Sequence, residues 1–255
     1  MSNYFETLNN TQKNNINVLT KRMNDKGITN KYTQAAILAV ASKESAFIPR
    51  SEVSYSTTSN ERIRQIFGSR LSKYSESALS ALKKDDKKFF DAIYGGMYGN
   101  APDEGYKYRG RGFNQLTFKG NYDAIGKKIG IDLVKNPDRL NEVAVASDAL
   151  IQYFVDRFKA APKETLKYYN TTDLNGFKNL TDALGAVYHA NAGWGKSVSS
   201  IKADPTGGKA KAEGRVNGFY DFVKSAKDSV GGTGTLLLIG IVVAVAYWAY
   251  QKYGA

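Results

Sequence analysis

The amino-acid sequence predicts a mainly α-helical protein, with one globular domain over 1–228, a glycine-rich linker over 229–235 and a single transmembrane helix over 236–253. Three observations carry this expectation. Apolar residues recur three and four apart along most of the domain, while alternating strand patterns are scarce. Composition there is uniform and shows no fixed-period repeat, which fits one domain. Between Asp228 and Lys252 no residue is charged, and Leu236 to Tyr250 reads LLLIGIVVAVAYWAY.

The elements follow in chain order. Thr7 to Arg22 is expected to be helical, with Leu8, Ile16, Leu19 and Met23 inward. A turn centred on Gly27 spans Asn24 to Asn30. Lys31 to Ser45 is a strong helix pattern that Pro49 closes off. Ser77 to Tyr94 has helical spacing, and its lysines Lys83, Lys84, Lys87 and Lys88 read as a solvated face. Gly95 to Gly112 is too rich in glycine for regular helix. Asn121 to Gly130, Asn141 to Phe158 and Thr181 to Ala190 are expected helices. Lys202 to Gly214 reads as a polar loop, and Val216 to Ala226 as a last helix with Phe219, Phe222 and Val223 inward. The expected architecture is an α-rich domain with long loops around a cleft.

The apolar tail points to a lipid bilayer. Leu236 to Tyr250 as a helix reaches ~22 Å, short of the ~30 Å hydrocarbon core, whereas Val230 to Tyr253 reaches ~36 Å. Tyr247, Trp248, Tyr250 and Tyr253 gather at one end, like an interfacial aromatic belt. The run is apolar on every face and follows Gly231-Gly232-Thr233-Gly234. A buried core helix at the chain end is the alternative. Met1 to Asn10 lacks the apolar stretch of a secretory signal. Several cations precede the run and only Lys252 follows it, so the domain is expected on the cytoplasmic side of the membrane.

There is no cysteine, and His189 is the single histidine. Thiol nucleophiles, thiolate zinc sites and multi-histidine metal centres are thereby excluded, and no metal or organic cofactor is expected. His189 is expected to be structural. Net charge is +12, which predicts attraction to a polyanion: nucleic acid, anionic lipid or bacterial wall polymer.

Two carboxylates stand out. Ile37, Val40, Ala41 and Glu44 fall on one face of the expected helix, so Glu44 extends its apolar stripe. A carboxylate placed there is expected to be partly desolvated, which lets it hold a proton and act as a general acid. Glu52 follows beyond Pro49 in a polar stretch. An inverting glycosidase needs a second carboxylate ~6.5–9.5 Å from the first to activate water. A helix-end Glu followed by a loop Glu can meet that geometry.

The stretch Tyr108-Arg109-Gly110-Arg111-Gly112-Phe113-Asn114-Gln115-Leu116-Thr117, with Asn121-Tyr122 and Asn136-Pro137 downstream, resembles the YRGRGxxQLTxxxNY…NP signature of family 19 glycoside hydrolases. These are the plant-type chitinases and related phage and bacterial endolysins. Lys43-Glu44-Ser45-Ala46-Phe47 is similar to the family's HESGGF-type segment, with Lys43 where the family usually has His. Glu52-Val53-Ser54-Tyr55-Ser56 resembles the ENLNYS segment of the endolysin branch. His189 to Gly193 resembles the INGG segment, and Arg215 to Tyr220 the closing RxGFY helix start. The resemblance covers about 30–225. It implies a lysozyme-like helical fold with a sugar-binding cleft. It implies that Glu44 is the general acid and Glu52 the candidate base. Gln115 and Thr117 would hold the attacking water or the sugar, and Asn191 an N-acetyl group or that water. Arg215 would tune the carboxylates, and Tyr108, Asn121 and Tyr122 would line the cleft.

The function expected from these observations is a peptidoglycan hydrolase cutting β-1,4 bonds between amino sugars. Its partners would be bacterial peptidoglycan, a bilayer and capsid proteins, with no nucleic acid. A tail-anchored lysin carried in a phage virion, or attached to the host inner membrane during infection, fits the anchor. A lytic transglycosylase using Glu44 alone, a chitinase, and a non-catalytic wall-binding virion protein are the alternatives. A nucleic-acid binder would account for the charge but for none of the motif order.

Overall fold

The structure, a computed structural model, describes residues 4–203 and 207–230. Among these residues it is helical, and the one strand-like feature is an isolated antiparallel bridge between Arg111 and Leu116. The helices are α1 (Asn10–Asp25), α2 (Lys31–Ser45), α3 (Asn60–Phe67), α4 (Glu76–Leu82), α5 (Asp86–Tyr94), α6 (Lys119–Ile129), α7 (Val143–Lys159), α8 (Lys163–Tyr168), α9 (Leu180–Ala192), α10 (Val198–Ala203) and α11 (Gly208–Val230).

Helix α2 is the axis of the main core. It is buried without interruption from Thr33 to Ser42, so it has no solvent face until its last turn. A helix that is apolar all round must be wrapped by others, and α9 and α11 pack along it while α1 packs on α7. Asn30 caps α2, accepting from the amides of Tyr32 and Thr33. Asn9 and Gln12 form a reciprocal cap at the start of α1, satisfying amides that the first turn leaves without helical partners. Leu8, Ile16, Leu19 and Met23 all point inward, as expected.

Two smaller apolar clusters adjoin this core. Ile63, Leu71, Leu79, Phe89, Phe90 and Ile93 close one from α3 to α5, with Tyr55, Phe67 and Tyr94 packed against it. Tyr108, Leu116, Tyr122 and Ile125 form the other with Leu133, Leu140, Val145 and Ala149. The Gly- and Tyr-rich stretch over 95–112 joins the two without regular helix, as expected.

Several expectations need correction. The segment from Ser77 to Tyr94 is two helices, because Asp85 caps a new one by accepting from the amide of Lys88. Of its lysines, Lys83 is not simply solvated: its ammonium donates to the Thr58 carbonyl at 2.6 Å. The polar loop expected over Lys202 to Gly214 contains the end of α10 and the start of α11. Ala212 there is fully buried, an anchor that polarity alone conceals. Helices α3 and α8 are short and were not expected. Helix α11 runs to Val230, past the expected domain edge at 228. Among the described residues no helix is long and apolar enough to cross a membrane. The expected transmembrane helix over 236–253, and the linker from 231 onward, lie outside the described residues.

Candidate active site

Glu44 lies in the last turn of α2, where the buried axis reaches the surface. The chain then turns sharply, with Ala46 at φ +48° and Phe47 at φ +61°. Left-handed conformations at residues other than glycine are unfavourable and persist only where neighbours enforce them. Helix α1 does so here: Gln12 donates to the Ala46 carbonyl at 3.0 Å and Asn15 to that of Phe47 at 2.7 Å. The Phe47 ring is fully buried. The turn therefore fixes where α2 ends and Glu44 begins to face solvent.

The apolar setting expected for Glu44 is not found. Its side chain is 30% accessible, and Oε1 pairs with the Lys43 ammonium at 2.6 Å. The same oxygen accepts from Asn191 Nδ2 at 3.1 Å. Asn191, at the end of α9, is thus brought to Glu44. Tyr153 of α7 reaches this region too, its hydroxyl 3.4 Å from the Asn191 carbonyl. Burial raises the Tyr153 pKa, the Arg157 charge lowers it and the Glu44 charge raises it.

Glu52 has a different environment. Its Oε1 accepts from the hydroxyls of Tyr55 at 2.9 Å and Tyr94 at 3.0 Å. Its Oε2 accepts from Tyr94 at 3.2 Å and from the Gly110 amide at 3.2 Å. The backbone is stitched as well, since the Glu52 amide donates to the Gly110 carbonyl at 2.7 Å. Both tyrosines are pushed well above the ordinary phenol range, first by burial, then by the negative charge of Glu52 and the hydrogen bond to it.

The RGRG stretch explains itself in space. Arg111 and Leu116 exchange two backbone hydrogen bonds, and the loop between them closes through positive φ at Gly112 (+79°) and Gln115 (+52°). That turn sends the Gln115 amide nitrogen to the carbonyls of Arg50 at 3.0 Å and Gly112 at 3.2 Å. A β-carbon at Gly110 would stand 2.8 Å from Gln115 Oε1 and 3.2 Å from Glu52 Oε2. Only glycine lets those two side chains converge there. Thr117 donates to the Gln115 carbonyl at 2.9 Å, and the exposed Asn121 donates to the Thr117 carbonyl at 2.8 Å.

Two sequence-predicted site residues are placed elsewhere. Tyr108 and Tyr122 are fully buried and line no surface. The Tyr108 hydroxyl donates to the Val134 carbonyl at 3.1 Å, and that of Tyr122 to the Arg109 carbonyl at 2.7 Å, so they support the loop from beneath. Arg215 donates to Ser42 Oγ at 3.1 Å and stacks 4.3 Å from the Tyr4 ring centroid. It ties α11 to α2 two residues before Glu44. Arg111 is a structural hub: its side chain is 3% accessible, and its guanidinium meets Asp138, two backbone carbonyls and the Tyr122 hydroxyl. His189 is buried, donating from Nε2 to the Lys196 carbonyl at 2.9 Å and accepting from the Tyr169 hydroxyl at Nδ1, 3.1 Å. Burial lowers its pKa. Among the described residues no group of three or more acidic or histidine side chains is placed to hold a metal ion.

Sequence reasoning missed Tyr55, Tyr94 and Tyr153. Tyr55 lies three residues after Glu52 in the quoted segment, a proximity that could have been used. Tyr94 is 42 residues away from Glu52 and carries no local signal.

Residues 88–165 match the family model of chitinase class I, glycoside hydrolase family 19. The matched stretch holds Tyr94 and the whole hairpin from Gly110 to Thr117, while Glu44, Glu52 and Asn191 lie outside it. A basic endochitinase of Vitis vinifera is 49% identical over 49 residues, 19% of this chain and 14% of that protein. Chitinase 2 of Oryza sativa subsp. japonica is 47% identical over 49 residues, 19% of this chain and 13% of that protein. An endochitinase of Avena sativa is 39% identical over 64 residues, 23% of this chain and 30% of that protein. The chain therefore spans less than a third of the length of these curated relatives. The crystal structure of a chitinase C mutant is similar at a TM-score of 0.34 and 23% identity, over 76% of this chain and 71% of that one.

Proposed function

We propose that this protein is a glycosidase that cuts β-1,4 bonds between amino sugars, with Glu44 as general acid and Glu52 as general base. The observation that carries the reading is the contrast between the two carboxylates. Glu44 is reached by Lys43 and Asn191 at the surface end of α2. Glu52 is held as an acceptor by two tyrosine hydroxyls and a backbone amide. Acid and base roles on one glycosidic bond call for two carboxylates in unlike surroundings. In the reaction Glu44 protonates the leaving oxygen. Glu52 takes a proton from water as that water attacks the anomeric carbon. Gln115, whose Oε1 converges with Glu52 over Gly110, orients the water, and Asn191 positions the sugar's N-acetyl group beside the acid.

Peptidoglycan is the substrate we favour. Its peptide stems and attached polymers are anionic, and the chain carries +12. The names of the similar proteins support chitin as a second substrate. We further propose that the apolar stretch over 236–253 anchors the enzyme to a membrane, in a virion or in the host, with capsid proteins as neighbours. The test of the chemistry is mass spectrometry of products after digestion of purified peptidoglycan and of chitin. New reducing ends on peptidoglycan fit the proposal, and anhydro ends indicate a transglycosylase. Cleavage of chitin alone indicates a chitinase. No product from either polymer leaves only a binding role.

A further inference from the structure

Tyr98 is 70% exposed, the most open large apolar residue among the described residues. Its backbone is at φ +43°, and that of Phe118, whose ring lies 4.8 Å away at 56°, is at φ +75°. Two aromatic residues in the region that favours glycine are a double departure from backbone preference, and such departures concentrate where function demands them. The packing within the molecule supplies no reason to display Tyr98, because its outer face touches water.

The platform is nevertheless built. The Gly120 amide donates to the Tyr98 carbonyl at 3.0 Å. A β-carbon at Gly120 would stand 2.9 Å from that same carbonyl oxygen. Asn100, itself buried, donates to the Tyr94 carbonyl at 2.9 Å and accepts from the Lys119 amide at 2.8 Å. These bonds clamp the Tyr98 loop to the start of α6. Phe118 in turn meets the Tyr94 ring edge-on at 5.4 Å, and the Tyr94 hydroxyl binds Glu52. One continuous path of rings leads from the candidate base to the exposed face.

We propose that Tyr98, backed by Phe118, is a stacking platform for a sugar ring of the glycan on the Glu52 side of the scissile bond. This rests on the glycosidase reading above. A β-linked pyranose holds its hydroxyls at the rim and shows C–H bonds on its faces. A flat aromatic ring covers such a face without needing a specific hydrogen bond, and its π cloud attracts the polarised C–H groups. A strained, clamped backbone keeps the ring oriented before substrate arrives, which reduces the ordering that binding requires.

The test uses the full-length protein and its Tyr98→Gly and Tyr98→Trp variants. Each is titrated with a hexamer of β-1,4-linked N-acetylglucosamine and with soluble peptidoglycan strands, and each is melted. Glycine relieves the positive φ, so Tyr98→Gly should melt at the same temperature or higher. It should bind glycan about tenfold more weakly, equivalent to about 1.4 kcal/mol. Tyr98→Trp should restore affinity. Unchanged affinity in Tyr98→Gly overturns the platform, and so does a lowered melting temperature, which would make the ring a packing residue. Failure of the unsubstituted protein to bind either probe overturns the glycan reading itself.

Discussion

Removal of the Tyr94 hydroxyl tests how Glu52 is held. In Tyr94→Phe the ring still packs on Phe90 and Phe118, while contacts of 3.0 and 3.2 Å to the carboxylate vanish. Hydrogen bonds to charged groups contribute about 1.5–3 kcal/mol. Tyr55 and the Gly110 amide still serve the carboxylate, so the lower figure, about 1.5 kcal/mol, applies. For a domain of this size that lowers the melting midpoint by about 3–6 °C. A second consequence appears at high pH. The folded-state pKa of Tyr94 is raised by burial and by Glu52. Below the unfolded phenol value of about 10 both states keep the proton, and its stabilisation is fully present. Above it the unfolded chain loses the proton while the folded one retains it, so stability falls as pH rises. Each such tyrosine contributes a fall of up to about 1.4 kcal/mol per pH unit. Urea unfolding midpoints of the parent and of Tyr94→Phe, measured from about pH 8 to about pH 11, read both effects. The variant should be less stable at neutral pH and less sensitive to alkali. Equal midpoints at neutral pH together with an unchanged alkaline slope would refute the reasoning.

Two further outcomes follow from buried polar groups. Arg111→Met should cost about 3 kcal/mol or more by denaturant unfolding, because the carbonyls of Lys107 and Arg109 and the Tyr122 hydroxyl lose a charged donor inside the RGRG loop. The His189 pKa is lowered, chiefly by burial. Its contribution to stability is complete above the unfolded value of about 6.5 and is lost as pH falls below it. Melting temperatures across that range should drop in the parent and drop less in His189→Gln.

The helical core was readable because periodicity reports burial directly. Helix α2 matches its predicted bounds, Lys31 to Ser45, since a run with no polar face has few other uses. Short helices such as α3 and α8 hold too few turns for periodicity to speak. The start of α11 was lost because Lys209, Lys211 and Glu213 mask Ala212. At the site, motif order pointed to Glu44, Glu52, Gln115 and Asn191; the structure brings Asn191 to Glu44 and sets Gln115 and Glu52 both beside Gly110. It could not separate side chains that touch substrate from those that hold the loop, which is why Tyr108 and Tyr122 were misplaced. A motif records that a residue is needed, and burial decides for what. The Tyr94 contact with Glu52 depends on a turn of backbone between distant segments, and no local pattern encodes it.

The acid role of Glu44 is the claim on which the proposed chemistry stands, and Glu44→Gln tests it most directly. The substitution keeps the side-chain shape and the acceptor for Asn191, while removing the proton that the leaving oxygen needs. General acid catalysis typically contributes ~10²–10⁴-fold. Initial rates of peptidoglycan solubilisation by purified parent and variant, matched for melting temperature, should differ by at least that range. A folded Glu44→Gln protein that solubilises peptidoglycan at near-parental rate would contradict the account.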